Sequence, residues 1–283
     1  MAKTSFLGAD GGMAVIVNLD NCIGCRACQI ACQEWNGRTP PQTSFSPTFT
    51  NPPRLMPNAW KVVMFHEITR EKILRVEEAT VKISDAVELV PLPFNCLHCT
   101  DAPCARSCPV RAIKVTPEGA VVIATEECIG CGSCFAACPF KVPQKGPDGK
   151  YYKCTFCVDR IQNSKAPACV EVCPNRVFTF TSMEDAVRIA ESMKAEGKEI
   201  YGLDLSGYVG GRVRWIFALS KDKAAQVFKK QFPEEAVGTM GSFGDLAKML
   251  GVPGLVLASA AGIILGVLAW RKERMKKTES QEA

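Results

Sequence analysis

Apolar and polar positions along the chain change over in short bursts, with only two stretches long enough for a sustained helix. Residues 13–17 (MAVIV) form an apolar run that ends at Asn18 and Asp20, and they predict a strand. Residues 60–65 and 72–76 are rich in β-branched and aromatic side chains and predict two strands of an inserted hairpin. Residues 120–124 predict a further short strand, and 213–219 another, entered through Gly210 and Gly211. Proline, serine and threonine crowd residues 38–57, which predicts an irregular connection. Over 182–196 the apolar positions Met183, Val187, Ala190 and Met193 share one helical face, Ser182 and Asp185 supply a capping pair, and Gly197 supplies the stop.

The longest apolar run is 250–270, 21 residues without a charge. As a helix it would be roughly 31 Å long, the thickness of a bilayer core, so a C-terminal transmembrane helix is expected. Pro253 sits in its first turn, Trp270 closes it, and Ala258, Gly262 and Gly266 form a small-residue stripe suited to another membrane helix. Arg271, Lys272, Arg274, Lys276 and Lys277 follow it, which puts the tail in the cytoplasm and the rest of the chain on the other side. The first twenty residues do not read as a signal peptide. Export of the folded chain with a signal-bearing partner is therefore expected.

The cysteines change the picture most. There are 16, in four groups of four with none left over. Cys22, Cys25, Cys28, Cys32 and Cys128, Cys131, Cys134, Cys138 follow the C-x2-C-x2-C-x3-C run of bacterial ferredoxins. Cys96, Cys99, Cys104, Cys108 and Cys154, Cys157, Cys169, Cys173 keep the leading C-x2-C and trailing C-x3-C but widen the middle gap. Three thiolates in a tight loop wrap one corner of a 4Fe–4S cubane. The fourth follows the third by one helical turn, about 6 Å along the axis, and so reaches toward a second cluster. The runs are therefore expected to work in pairs, each lending its last cysteine to its partner. Pro109, Pro139 and Pro174 turn the chain away after three of the four runs, and Gln33 stands at that place in the first.

Zinc favours separated C-x2-C knuckles rather than three thiolates in seven residues, and eight disulfides suit a small secreted domain rather than 283 residues. Net charge is +5. Four clusters of about −2 each would bring it to about −3, so the basic surplus reads as compensation for buried anions. No Arg/Lys stripe interleaved with aromatics suggests nucleic acid. No nucleophile triad, phosphate loop, dinucleotide fingerprint or carboxylate pair stands out, so no catalytic residue is assigned. His98, between Cys96 and Cys99, is a candidate donor to a cluster sulfur, although solvent or a neighbouring subunit is its commoner fate. His66, Trp35 and Trp60 read as structural, and Ile23, Ile129 and Phe135 as shields over clusters.

The stretches CIGCRACQIACQEWN, NAWKVVMFHE, CLHCTDAPCARSCP, CIGCGSCFAACPFKVP, YKCTFCVDRIQNSKAPACVEVCP and GLDLSGYVGGRVRWIFAL resemble the iron–sulfur (beta) subunit of membrane-bound respiratory formate dehydrogenases. The resemblance implies an α+β fold of two ferredoxin-like two-cluster modules with an inserted β-hairpin, to which the single C-terminal transmembrane helix is added. The chain then divides into module A (1–40 and 150–180), an inserted connection and hairpin (41–89), module B (90–149), a docking segment (181–245), the membrane helix (246–271) and a basic cytoplasmic tail (272–283). It implies four 4Fe–4S clusters: Cys22, Cys25, Cys28 with Cys173; Cys154, Cys157, Cys169 with Cys32; Cys96, Cys99, Cys104 with Cys138; and Cys128, Cys131, Cys134 with Cys108. All sixteen positions are cysteine, which argues against the nitrate-reductase branch, where a tryptophan replaces one ligand. The implied partners are a molybdopterin-containing catalytic subunit that oxidises formate and a membrane cytochrome b subunit that accepts the electrons, with the bilayer contacted through 250–270. The chain is then not an enzyme by itself, and its cluster domain lies on the periplasmic face of the cytoplasmic membrane. Two alternatives stand beside this: the equivalent subunit of a membrane hydrogenase or another molybdenum oxidoreductase, and a zinc-stabilised membrane adaptor.

Overall fold

The computed structural model describes residues 11–76, 79–205, 209 and 211–233, all within one compact unit, Met1–Val237. In chain order the elements are β1 (Met13–Asn18), α1 (Ala27–Trp35), β2 (Lys61–Val76), β3 (Ala79–Asn95), α2 (Pro103–Arg106), β4 (Ile113–Val115), β5 (Val121–Ile123), α3 (Ser133–Ala137), β6 (Gln144–Lys145), β7 (Tyr151–Tyr152), α4 (Val158–Gln162), α5 (Ala168–Glu171), β8 (Phe178–Ser182), α6 (Met183–Ala195), β9 (Lys198–Tyr201), β10 (Trp215–Ser220) and α7 (Lys221–Gln231).

Strands far apart in sequence make the central sheet, in the order β8–β1–β10–β9. β1 runs parallel to β10, with Val15 opposite Trp215, and antiparallel to β8. Alternation along each strand sends side chains to two layers. Ala14, Ile16 and Ile216 meet Met183, Ala186 and Ala190 of α6 on one face. Val15, Val17, Trp215 and Phe217 point the other way, into the main core with Val62, Leu92, Phe94 and several of the cysteines. The expected cap holds: the Ser182 hydroxyl accepts from the Asp185 amide at 3.1 Å, and Gly197 ends the helix at φ +94°.

The hairpin differs from its expected form. Residues 61–65 of the first segment and all of 72–76 lie on one strand, β2, whose partner is β3. Nothing in 66–71 (HEITRE) favours a turn, since it lacks Gly, Pro, Asn and Asp, and the strand continues through it with one register shift between Arg70 and Lys72.

The fold class with a transmembrane helix is corrected to an α+β fold with ferredoxin-like modules. Among the described residues no helix is long and apolar enough to cross a membrane. The longest, α6, has 13 residues, about 20 Å, and is amphipathic. Residues 250–270, their small-residue stripe and the basic tail lie outside the described residues.

Candidate metal centres

Each cysteine run is a loop entered from a strand or bend and closed by a short helix. The residue two places after the first cysteine has positive φ in all four runs: Gly24 (+70°), His98 (+48°), Gly130 (+71°) and Phe156 (+62°). A left-handed residue among right-handed neighbours curls the backbone so that successive N–H groups face one concavity, a geometry suited to an anion. Glycine takes that conformation freely at Gly24 and Gly130. The two non-glycine cases, His98 and Phe156, stack on each other with ring centroids 4.8 Å apart.

The run ends repeat as well. Three residues after the fourth cysteine, Arg111, Lys141 and Arg176 have φ of +55°, +51° and +48°. That bend returns the next amide to the thiol: Val142 N–H donates to Cys138 Sγ at 3.5 Å and Val177 N–H to Cys173 Sγ at 3.4 Å. Proline cuts the helices of these three runs to a single turn or little more, so Cys108, Cys138 and Cys173 stand just beyond them. Only α1, which lacks the proline, keeps both its cysteines, Cys28 and Cys32, within the helix.

The sixteen thiols gather into four quartets, each drawn from two runs. Cys22, Cys25, Cys28 and Cys173 line one cavity of about 320 Å3. Cys96, Cys99, Cys104 and Cys138 line a second of about 350 Å3, and Cys108, Cys128, Cys131 and Cys134 a third of about 310 Å3. The remaining four, Cys32, Cys154, Cys157 and Cys169, are all buried, and the charges of the last three raise the Cys32 pKa on top of its burial. Helix α1 packs on α5 and α2 on α3, so runs one and four form one module and runs two and three the other. Among the described residues no three thiols converge on a point as they would around a single ion. They ring a space instead.

Burial dominates thiol chemistry here. It pushes Cys28, Cys104 and Cys134 up to about 12 and Cys138 and Cys157 up to about 11. Cys131, at the rim, goes the other way, because the Ser133 hydroxyl hydrogen-bonds its sulfur. Four thiols from two runs around a shared space, with amides aimed at sulfur, fit a 4Fe–4S cluster: its irons replace the thiol protons and satisfy the charges that burial of thiols such as Cys28 and Cys134 otherwise forbids.

Neighbouring quartets are also linked. The first and second share runs one and four, the third and fourth share runs two and three, and Lys153, which lines the third cavity, donates to the carbonyl of Cys154 in the second at 3.1 Å. The quartets therefore follow one another in series. Exposed Cys25 and Cys131 mark its two ends. Ile23 and Ile129, expected as shields, line the two end cavities yet are each 63% exposed, and Phe135 is exposed too.

His98 is fully buried; its Nδ1 accepts from the Val121 amide at 2.9 Å. His66 meets Gln231 at 3.1 Å, a structural contact. Trp60 is buried, whereas Trp35 is on the surface, bonded to Asp159 at 2.8 Å with the Arg160 guanidinium over its ring. Two buried lysines, Lys61 and Lys153, fall inside the family-like stretches NAWKVVMFHE and YKCTFCVDRIQNSKAPACVEVCP, where sequence reasoning gives them no role. Lys61 lies inside the apolar run WKVVM, where a charge between Trp60 and Val62 is the one signal that could have found it.

A fold of short strand–loop–helix units around thiol quartets defines a ferredoxin-type iron–sulfur protein with an electron-transfer role. The 4Fe–4S dicluster domain family matches residues 87–183, and the 4Fe-4S binding domain family matches 19–35. The formate dehydrogenase iron-sulfur subunit of Haemophilus influenzae is 37% identical over 212 residues, 72% of this chain and 64% of the relative. The formate dehydrogenase-O iron-sulfur subunit of Escherichia coli is 35% identical over 72% of this chain and 66% of the relative. A sulfite dehydrogenase subunit of Allochromatium vinosum is 31% identical over 61% of this chain and 70% of the relative. Relatives 34–37% identical over most of this chain are formate dehydrogenase iron–sulfur subunits. The chain spans a little under two thirds of the length of the first two of these relatives.

Proposed function

We propose that the chain is the electron-transfer subunit of a formate dehydrogenase-type complex, in which four 4Fe–4S clusters link a molybdopterin-containing catalytic subunit to a membrane cytochrome b partner. The ligand sets are the four quartets: Cys22, Cys25, Cys28, Cys173; Cys32, Cys154, Cys157, Cys169; Cys96, Cys99, Cys104, Cys138; and Cys108, Cys128, Cys131, Cys134. The observation that carries this reading is the arrangement of thiol quartets, paired by shared runs and linked through Lys153, with an exposed cysteine at each end. Identity of 35–37% to two formate dehydrogenase subunits supports the choice of partner.

When bound, a 4Fe–4S cluster supplies a one-electron carrier whose potential is set by charge, hydrogen bonds and exposure. The chain's own residues supply those settings. The Val142 and Val177 amides donate to Cys138 and Cys173, and the Phe156 amide to Cys154 Sγ at 3.3 Å. Leu97, Phe156 and Trp215, all fully buried, keep water from the middle of the series. Ile23 and Ile129 leave the ends open, where a redox centre of another subunit can approach. On this reading the chain is a component of an oxidoreductase complex and not an enzyme by itself. The complex is attached to the cytoplasmic membrane through the cytochrome partner, with this chain on the outer face; protease access to sealed vesicles tests that placement.

Anaerobic isolation of the complex, identification of its subunits and an iron count test the whole. Brown protein with about sixteen irons per chain supports the reading. Colourless protein holding zinc would end it in favour of an adaptor. A second reading has the same succession serving a different dehydrogenase, favoured by the likeness to the sulfite dehydrogenase protein; the co-purifying large subunit decides between them.

A further inference from the structure

Two ammonium groups sit inside this protein without a carboxylate partner among the described residues. Lys61 is 1% exposed. Its Nζ donates to Asn95 Oδ1 at 2.7 Å and lies 4.0 Å from the centre of the Trp215 ring and 4.8 Å from that of Phe178. Lys153 is 4% exposed; its Nζ donates to the carbonyl of Val121 and, at 3.1 Å, to that of Cys154. A buried ammonium costs several kcal/mol unless an anion lies near it. Carbonyls and ring faces offset only part of that.

The missing anions are in the quartets. Lys61 lines a pocket together with Cys32 of the second quartet, and the Phe178 ring it faces lines the cavity of the first. Lys153 lines the cavity of the third quartet and holds the carbonyl of Cys154 in the second. Lys61 therefore stands between the first and second quartets, and Lys153 between the second and third. Among the described residues no lysine lines the cavity of the fourth.

We propose that Lys61 and Lys153 are fixed-charge positioning residues that raise the reduction potentials of the clusters on either side of them, Lys61 for the first and second and Lys153 for the second and third. One-electron reduction adds one negative charge to a site, and a cation held in a dry interior favours the reduced form. The second site, flanked by both, is raised most, which evens out a succession whose most buried member would otherwise be the hardest to reduce.

The proposal rests on the cluster reading above, and the experiment separates the two. The intact complex is purified without oxygen and titrated electrochemically, with each cluster followed by its paramagnetic signal. In Lys153→Met two of the potentials are expected to fall, each by at least tenfold in the reduction equilibrium, about 59 mV for one electron, while the others hold. Lys61→Met moves a different pair, sharing one member with the first. Lys153→Arg keeps the charge and restores the potentials toward native. Unchanged potentials, or a uniform shift of all signals, would overturn the proposal. If Lys153→Met loses its clusters, Lys153→Gln keeps a donor for the two carbonyls without the charge: lowered potentials support the proposal, and cluster loss in both neutral variants, a purely structural need, overturns it. A native complex without paramagnetic signals would sink the cluster reading instead.

Discussion

Gly130→Ala and Gly149→Ala together isolate the shape of one thiol loop. Gly130, between Cys128 and Cys131, has φ +71°; a Cβ there would lie 2.3 Å from the Gly149 carbonyl oxygen. Gly149 has φ +83° and meets nothing within 4 Å. Both alanines bear the left-handed strain, about 1–2 kcal/mol. Only the first also forces two backbone segments apart by about 1 Å, an overpacking cost of about 1–3 kcal/mol. For a unit of this size 1 kcal/mol is roughly 2–4 °C. The midpoint for loss of visible absorbance, at one scan rate, should fall by about 2–8 °C for Gly149→Ala and about 4–20 °C for Gly130→Ala. Gly130→Ala should also lose iron, because the displaced loop carries two of the fourth quartet's thiols. Equal shifts with equal iron would refute the argument that the loop is held open by contact with Gly149.

Three further expectations follow from burial and charge. Trp215→Ala empties a fully buried site packed 5.8 Å from Phe178 and 6.2 Å from Phe156, at a cost of about 3–5 kcal/mol; an unmoved guanidinium midpoint would contradict it. Cys131→Ser should remove about four irons and leave the other quartets loaded, and iron analysis beside wild type would reveal any wider loss. In the metal-free chain the thiols of Cys28, Cys104 and Cys134 are raised to about 12. A thiol whose folded pKa exceeds its unfolded value of about 8.5 adds stability below that pH and loses it as pH climbs toward 12. Urea midpoints under reducing conditions should therefore be lower at pH 10 than at pH 7; a rise would reverse the sign of the argument.

Cysteine spacing made the loops legible, because three thiolates in seven residues leave a chain few ways to turn. Ser182 and Gly197 bounded α6 for the same reason, since each has one favoured place at a helix end. Strand partners were not legible: the pairing of Met13–Asn18 with Trp215–Ser220 joins segments some two hundred residues apart, and neither carries a mark of the other. His98 and Phe156 occupy the same place in their loops, but sequence alone gave no reason for the two rings to meet. The lysines were hidden because a charge beside a strand ordinarily means solvent; only a neighbouring anion, absent from the alphabet of amino acids, makes its burial sensible. The run at 250–270 shows the opposite hazard, for length and hydropathy there suggested an element that no described helix supports.

The parallel pairing of β1 with β10 also sets a timetable for biosynthesis. The inner ligands all lie between Cys96 and Cys138, so their loops can close while the ribosome is still adding residues. The outer ones join Cys22 to Cys173 and Cys32 to Cys169, and β1 has no strand on that side until Trp215 emerges. Iron delivered during a short labelling pulse should accordingly enter the inner pair first. Delivery to the outer pair ahead of it would mean that the nascent N-terminus is held open by a helper until the C-terminal strand arrives.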